Sequence, residues 1–189
     1  MSEILEKDRN DMNIITLHLG NGSSLSAVKN GKCYDTSMGL TPLEGLVMGT
    51  RSGNLDPTVV TFLEENENLD PAEVNNLLNK KSGVLGVSGL SSDFRDLENA
   101  AEEGNERATL ALDMFVQSVK KTLGSYMAEL GKVDAIVFTG GIGENSKTMR
   151  KAILENMEDL GLSLSDEKND VRGKEALLST DDSKVKIYV

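Results

Sequence analysis

The chain has 189 residues, 38% hydrophobic and 27% charged, enough for one substantial domain with a real core. Its formal net charge of −11 at pH 7 argues against a nucleic-acid partner, because binding a phosphate backbone relies on clustered Lys and Arg. No apolar run approaches the ~18 residues that span a bilayer, so no membrane partner is expected.

The opening "MSEILEKDRNDM" is charged and lacks the apolar region of a signal peptide. A single cysteine, Cys33, excludes an internal disulfide framework and fits a reducing cytoplasm. Asn13 to Leu19 ("NIITLHL") is rich in β-branched and aliphatic residues and reads as a strand. Ser24 to Lys29 reads as a second strand, Asn30-Gly31 as a hairpin turn, and Lys32 to Thr36 as a third strand. An antiparallel meander follows.

Ser37 to Asn54 ("SMGLTPLEGLVMGTRSGN") spreads Gly39, Gly45, Gly49 and Gly53 too widely for a strand and reads as a long, ordered, partly buried loop. Two helix starts share one chemistry: Asp56 before Pro57, and Asp70 before Pro71. The second of these helices is expected to stop near Gly83, with "GVLGVSGLSSD" as a glycine-rich connection. Asp93 then opens a helix through about Glu103.

From Glu106 to Leu130, Ala108, Leu112, Phe115, Val119, Leu123, Tyr126 and Leu130 recur at spacings of three and four. A helix of that span would be ~37 Å long at 1.5 Å per residue. Val133 to Phe138 reads as a buried strand ending in "TGGIGENS". A helix should follow, carrying Met149, Ile153, Met157 and Leu160 on one face and stopping at Gly161. Lys184 to Val189 reads as a last strand. With no linker or low-complexity tract, residues 1–189 read as a single α/β domain.

Four stretches could carry chemistry. Alternation along the first strand puts Ile14, Thr16 and the sole histidine, His18, on one face, with Ile15, Leu17 and Leu19 on the other. His18 is either a hydrogen-bonded buttress of the turn or a donor to an anion held over Gly20, Asn21 and Gly22. Arg51 lies among small residues, so its planar fork is free for carboxylate or phosphate; an ordinary surface arginine is the alternative.

"TGGIGENS" follows a strand and opens a helix, a usual ligand position in α/β sheets. It lacks the Lys-Ser/Thr of a Walker A loop and the spacing of G-x-G-x-x-G. A tight turn capped by Asn145 or Ser146 is the plainer reading. In "SSDFRDLE", Asp93 is a candidate N-cap, Arg95 sits unfavourably at a helix N-terminus, and Phe94 could cover one face of a base. Pairing of Arg95 with Asp96 or Glu98 is the alternative. No zinc cluster, H-E-x-x-H or G-x-S-x-G is present.

Together, "LHLGNGSS", "DTSMGLTPLEGLVMGTRSGNLDP", "SSDFRDLE" and "VFTGGIGENS" closely resemble the acetate kinase (acetokinase) family, in that family's order and over nearly the whole chain. The resemblance implies a ribonuclease-H-like domain of the actin, hexokinase and Hsp70 superfamily: an antiparallel meander plus parallel strands flanked by helices. It also implies the reversible, magnesium-dependent reaction of ATP and acetate to ADP and acetyl phosphate in a cytoplasmic homodimer. Propionate kinases are relatives with a similar long block.

By position, the resemblance implies that His18, Asn21 and Gly22 hold nucleotide phosphates, His18 and Arg51 serve the reaction, and Arg51 stabilises the transferring phosphoryl group. Pro42 would wall the acetate methyl pocket. Asp93, Phe94 and Arg95 would contact the nucleotide, while Gly141, Ile142, Gly143 and Asn145 would surround the adenosine. Family members are about twice this length. The chain is therefore expected to be a C-terminal nucleotide-binding domain, inactive alone, with the magnesium ligands and a second catalytic histidine outside it. A stand-alone nucleotide-binding or dimerisation module is the alternative.

Overall fold

Strand β1, Ile14–Leu19, buries Ile15, Leu17 and Leu19 completely while His18 is exposed, so the period-two pattern places the apolar face inward. In the computed structural model, which describes residues 1–189, a short helix α1, Ser2–Leu5, precedes it. β2, Ser23–Lys29, and β3, Lys32–Thr36, follow as an antiparallel meander. Asn30 and Gly31 turn between them with φ of 51° and 70°, as a tight hairpin of the expected chemistry requires. All of β3 is exposed.

Residues 37–54 form no regular element, yet Leu46 and Met48 are fully buried, so the loop is ordered as expected. Helix α2, Thr58–Asn66, begins one residue later than Pro57; Asp56 accepts from the Thr58 N–H at 2.9 Å. Helix α3, Pro71–Lys80, has a complete capping box: Asp70 accepts from Ala72 and Glu73, and the Glu73 side chain accepts from the Asp70 N–H. The connection expected from Gly83 is instead helix α4, Gly83–Ser88, ended by Gly89 in the left-handed region. Its first N–H groups are satisfied by loop carbonyls: Val84 N donates to Met48 O at 2.9 Å and Leu85 N to Gly49 O at 3.0 Å.

Helix α5, Phe94–Glu102, starts at the Asp93 cap. Helix α6, Glu106–Leu130, has the span its periodicity predicts, and all seven apolar positions named above are buried. That stripe is core. Burying each of its large side chains contributes roughly 1.5–3 kcal/mol.

β4, Ala135–Thr139, leads into α7, Gly140–Asn145, and α8, Lys147–Leu154, capped by Ser146 through the Met149 N–H. The single helix expected to reach Leu160 does not form. α8 ends at Leu154, Asn156 takes a left-handed φ of 60°, and a 3-10 turn carries Glu158–Leu160. Met157 is buried, but Leu160 is 53% exposed. Gly161 stops the turn at φ 88°. A short α9, Asp166–Asn169, and β5, Lys186–Tyr188, complete the chain.

The sheet order is β3-β2-β1-β4-β5, antiparallel through the meander and parallel from β1 to β4 to β5. This is the expected ribonuclease-H-like arrangement. The chain divides into two compact units: residues 1–37 with 119–189, holding the sheet, and residues 38–118. α6 contributes its first half to one and its second half to the other.

Candidate functional site

In the sheet-bearing unit, the site is built where parallel strands β1 and β4 end side by side. His18 pairs in register with Thr139, and both residues stand on the polar face at the strands' C-terminal ends. Their side chains meet, with His18 Nδ1 3.0 Å from Thr139 Oγ1. Each strand then turns through glycine. A Cβ placed on Gly20 would lie 4.0 Å from the Gly141 nitrogen, so the two glycine turns are neighbours.

Gly140 explains why this turn takes no side chain. It has φ of 80°, and a Cβ there would sit 2.7 Å from the Leu19 carbonyl oxygen. Its N–H donates to Glu144 Oε1 at 2.9 Å, and the Asn145 amide donates to Gly141 O at 2.9 Å. Gly141 is open, with nothing within 4 Å of its added Cβ, while Ile142 and Gly143 are buried. Asn21 is exposed and Gly22 half-buried. His18, Asn21, Gly22, Gly141, Ile142, Gly143 and Asn145 thus gather at one end of the sheet. Ser146, the alternative cap, is indeed the N-cap of α8.

A pocket of about 600 Å³ opens beside this turn, lined by Val137, Thr139, Glu144, Gly173 and Tyr188 among others. An added Cβ on Gly173 would stand 3.7 Å from Asn145 Oδ1, so the pocket adjoins the turn. Sequence reasoning missed Thr139, Glu144 and this pocket. Glu144 has a legible signal, lying one helical turn from the Gly140 it secures. Thr139 has none, since the β1–β4 register is long-range.

The second unit carries the other predicted residues. Arg51 is half-buried, and its Nη1 donates to Pro42 O at 3.4 Å and approaches Met48 Sδ at 3.6 Å. Pro42 itself is exposed, so these two residues do meet. The loop is fixed behind Arg51: Met48 N donates to Arg51 O, and Ser82 N to Thr50 O. Gly83 packs beneath it, where a Cβ would strike Met48 O at 2.2 Å and Arg51 O at 2.7 Å.

At the start of α5, Arg95 finds its carboxylate partner in the N-cap residue. It folds back on Asp93, Nε to Oδ1 at 3.0 Å and Nη2 to Oδ2 at 2.5 Å. This fork and the Arg95 N–H bond bring the Asp93 carboxyl down to about 2. The ion pair also compensates the cation that the helix dipole disfavours. Phe94 turns inward: it is 5% exposed and meets Phe115 edge-on, with centroids 4.6 Å apart. The ring face that the sequence offered to a base is thus part of the core, leaving Arg95 as the presented side chain. No group of three or more His, Cys, Asp or Glu residues is arranged to hold a metal ion. No helix is long and apolar enough to cross a membrane.

The profile of the acetokinase family matches residues 1–189. The chain is 70% identical over 181 residues to the acetate kinase of Finegoldia magna, covering 96% of this chain and 46% of that protein. It superposes on the crystal structure of Porphyromonas gingivalis acetate kinase with a TM-score of 0.96 and 52% identity, over 100% of this chain and 47% of the other. A propionate kinase from Francisella tularensis gives a TM-score of 0.90 at 42% identity, over 98% and 47%. The chain spans about half the length of the relatives it matches.

Proposed function

The chain belongs to the acetokinase family, and from that premise we propose that it is the nucleotide-binding half of an acetate kinase. The reaction transfers the terminal phosphoryl group of ATP to acetate, giving ADP and acetyl phosphate. One observation carries the nucleotide reading: two glycine turns lie side by side at the ends of β1 and β4, with the exposed His18 beside them. Close backbone approach and a hydrogen-bonding imidazole suit a polyphosphate. The adjoining pocket of about 600 Å³ falls in the size range of small-ligand sites.

In this reading His18 donates from Nε2 to a phosphate oxygen while Nδ1 is held by Thr139. Asn21 and Gly22 contribute further polar groups to the phosphates, and Gly141, Ile142, Gly143 and Asn145 flank the nucleoside. Asp93 holds Arg95 in a fixed orientation, with Phe94 anchoring the helix start from the core; their assignment to the nucleotide rests on the family resemblance. Arg51 stabilises charge on the phosphoryl group as an acetate oxygen attacks phosphorus and the bond to the leaving ADP oxygen breaks. Pro42, bonded to Arg51 through its carbonyl, borders the acetate methyl group. Bound magnesium would supply charge neutralisation at the polyphosphate; no group of three or more His, Cys, Asp or Glu residues is arranged here to hold it.

We further assign the protein to the cytoplasm and to a homodimer, on the family resemblance and the single, exposed Cys33. Calorimetric titration with ADP tests the nucleotide reading: saturable binding is expected, and its absence overturns it. A hydroxamate assay for acetyl phosphate should show no turnover by this chain alone, and clear turnover would sink the claim that it is one half of the catalyst.

A further inference from the structure

The largest fully buried side chain in the protein is charged. Arg150 on α8 has no exposed surface and no carboxylate within ion-pair distance among the salt bridges of the fold. Its partners are oxygens of amide groups. Nη1 donates to Gly143 O at 2.8 Å, Nε to Asn169 Oδ1 at 2.7 Å, and Nη2 to Asn169 O and Val171 O, both at 2.9 Å. Burial lowers the guanidinium pKa from its ordinary value, so the carbonyl dipoles are what keep the ion tolerable there.

Taking a guanidinium out of water is costly, and an apolar side chain of similar volume would fill the space without that cost. What the apolar side chain would lack is the planar fork, which fixes several acceptors at once. Those acceptors come from two segments. One is α7, whose Gly143 lies in the glycine turn. The other is 169–171, where the buried Asn169 also donates through Nδ2 to Lys147 O at 3.0 Å. A second tie joins the same segments, with Gly173 N donating to Glu144 O at 3.2 Å.

We propose that Arg150 is a positioning residue for the nucleotide: by clamping the Gly143 carbonyl to Asn169 and Val171, it holds the Gly140–Asn145 turn at the height the adenosine requires. This rests on the reading of that turn as a nucleotide contact. Arg150 touches no ligand itself. It acts through the backbone of Gly143, and Asn169 is the other jaw of the clamp.

The test pairs hydrogen exchange with ADP titration on the whole chain, for wild type, Arg150→Met and Arg150→Lys. Met keeps an unbranched apolar stem but is shorter and donates nothing; Lys keeps the charge and loses the fork. Exchange at 140–145 and 169–173 should rise selectively in Arg150→Met while the strands β1, β2 and β4 keep their protection. The ADP dissociation constant should rise roughly tenfold or more, because small misplacements of a contact surface are costly. Arg150→Lys should fall between, and it decides the matter if Arg150→Met does not fold. Unchanged local exchange overturns the positioning role, as does faster exchange spread evenly over the fold, which marks a structural part only. If wild type fails to bind ADP, the nucleotide reading falls with the adenosine half of the proposal, while exchange still reports on the clamp. Local loosening with unaltered ADP affinity overturns the claim that the clamp serves the nucleotide.

Discussion

His18 Nδ1 lies 3.0 Å from Thr139 Oγ1, a bond between the C-terminal ends of two parallel strands that are far apart in the chain. The bond fixes the ring of an exposed histidine and occupies one of its two nitrogens. Thr139→Val removes the hydroxyl and keeps the β-branched shape. We expect it to weaken ADP binding by about 1 kcal/mol, the scale of one hydrogen bond, with little change in melting temperature. His18→Ala should cost at least as much. Equal ADP affinities for wild type and both variants, measured by calorimetry, would show that the pair only buttresses the turn.

Gly83 holds the loop that carries Arg51. Its φ is +62° and an added Cβ would lie 2.2 Å from Met48 O, backbone that is itself fixed by hydrogen bonds to α4. Gly83→Ala therefore combines left-handed strain with overpacking and should destabilise by about 2–5 kcal/mol. Gly104, at φ +89° with nothing within 4 Å of its added Cβ, is the control: Gly104→Ala should cost only the strain, ~1–2 kcal/mol. Urea denaturation of both variants separates the clash from the dihedral.

The Asp93 carboxyl titrates at about 2 in the fold, below an unfolded reference of ~3.9. A depressed folded value means that its contribution is fully present above the unfolded pKa and disappears as pH falls through the folded one. Between about pH 4 and 2 the start of α5 should loosen. The Arg95 side chain is 76% exposed, so the effect is small and should weaken in ~1 M salt. Asp93→Asn keeps the N-cap acceptor but removes the charge. Its thermal stability should lose less on acidification through this window than that of wild type. A carboxylate resonance followed by NMR should give the low titration point directly.

What was legible in the sequence was local chemistry. Asp70-Pro71 announced α3, Asn30-Gly31 announced a hairpin, and seven apolar positions between Ala108 and Leu130 announced the face that α6 buries. α4 was hidden because its N-terminus has no side-chain cap; its N–H groups are answered by Met48 and Gly49 carbonyls from the distant loop. Phe94 was hidden likewise, its ring being claimed by Phe115. His18 could be placed at an exposed strand end, but Thr139 is brought to it only by the parallel pairing of β1 with β4. Arg150 resembled any helix-surface arginine until the turn before it and the segment after it closed over its fork.

The break after α8 shows how a periodic pattern can continue through a helix that does not. Met149, Ile153 and Met157 are all buried, as one helical face would bury them, yet Asn156 adopts φ 60° between the last two. The chain leaves the helix at Leu154 and returns Met157 to the core by another route. Asn tolerates the left-handed region better than residues without a short polar side chain. Asn156→Gly should therefore leave stability nearly unchanged, whereas Asn156→Ala should lose about 1 kcal/mol despite its higher helix propensity. If Asn156→Ala were instead stabilising in chemical denaturation, helix propensity would outweigh the bend, and α8 would extend toward the length its periodicity suggests.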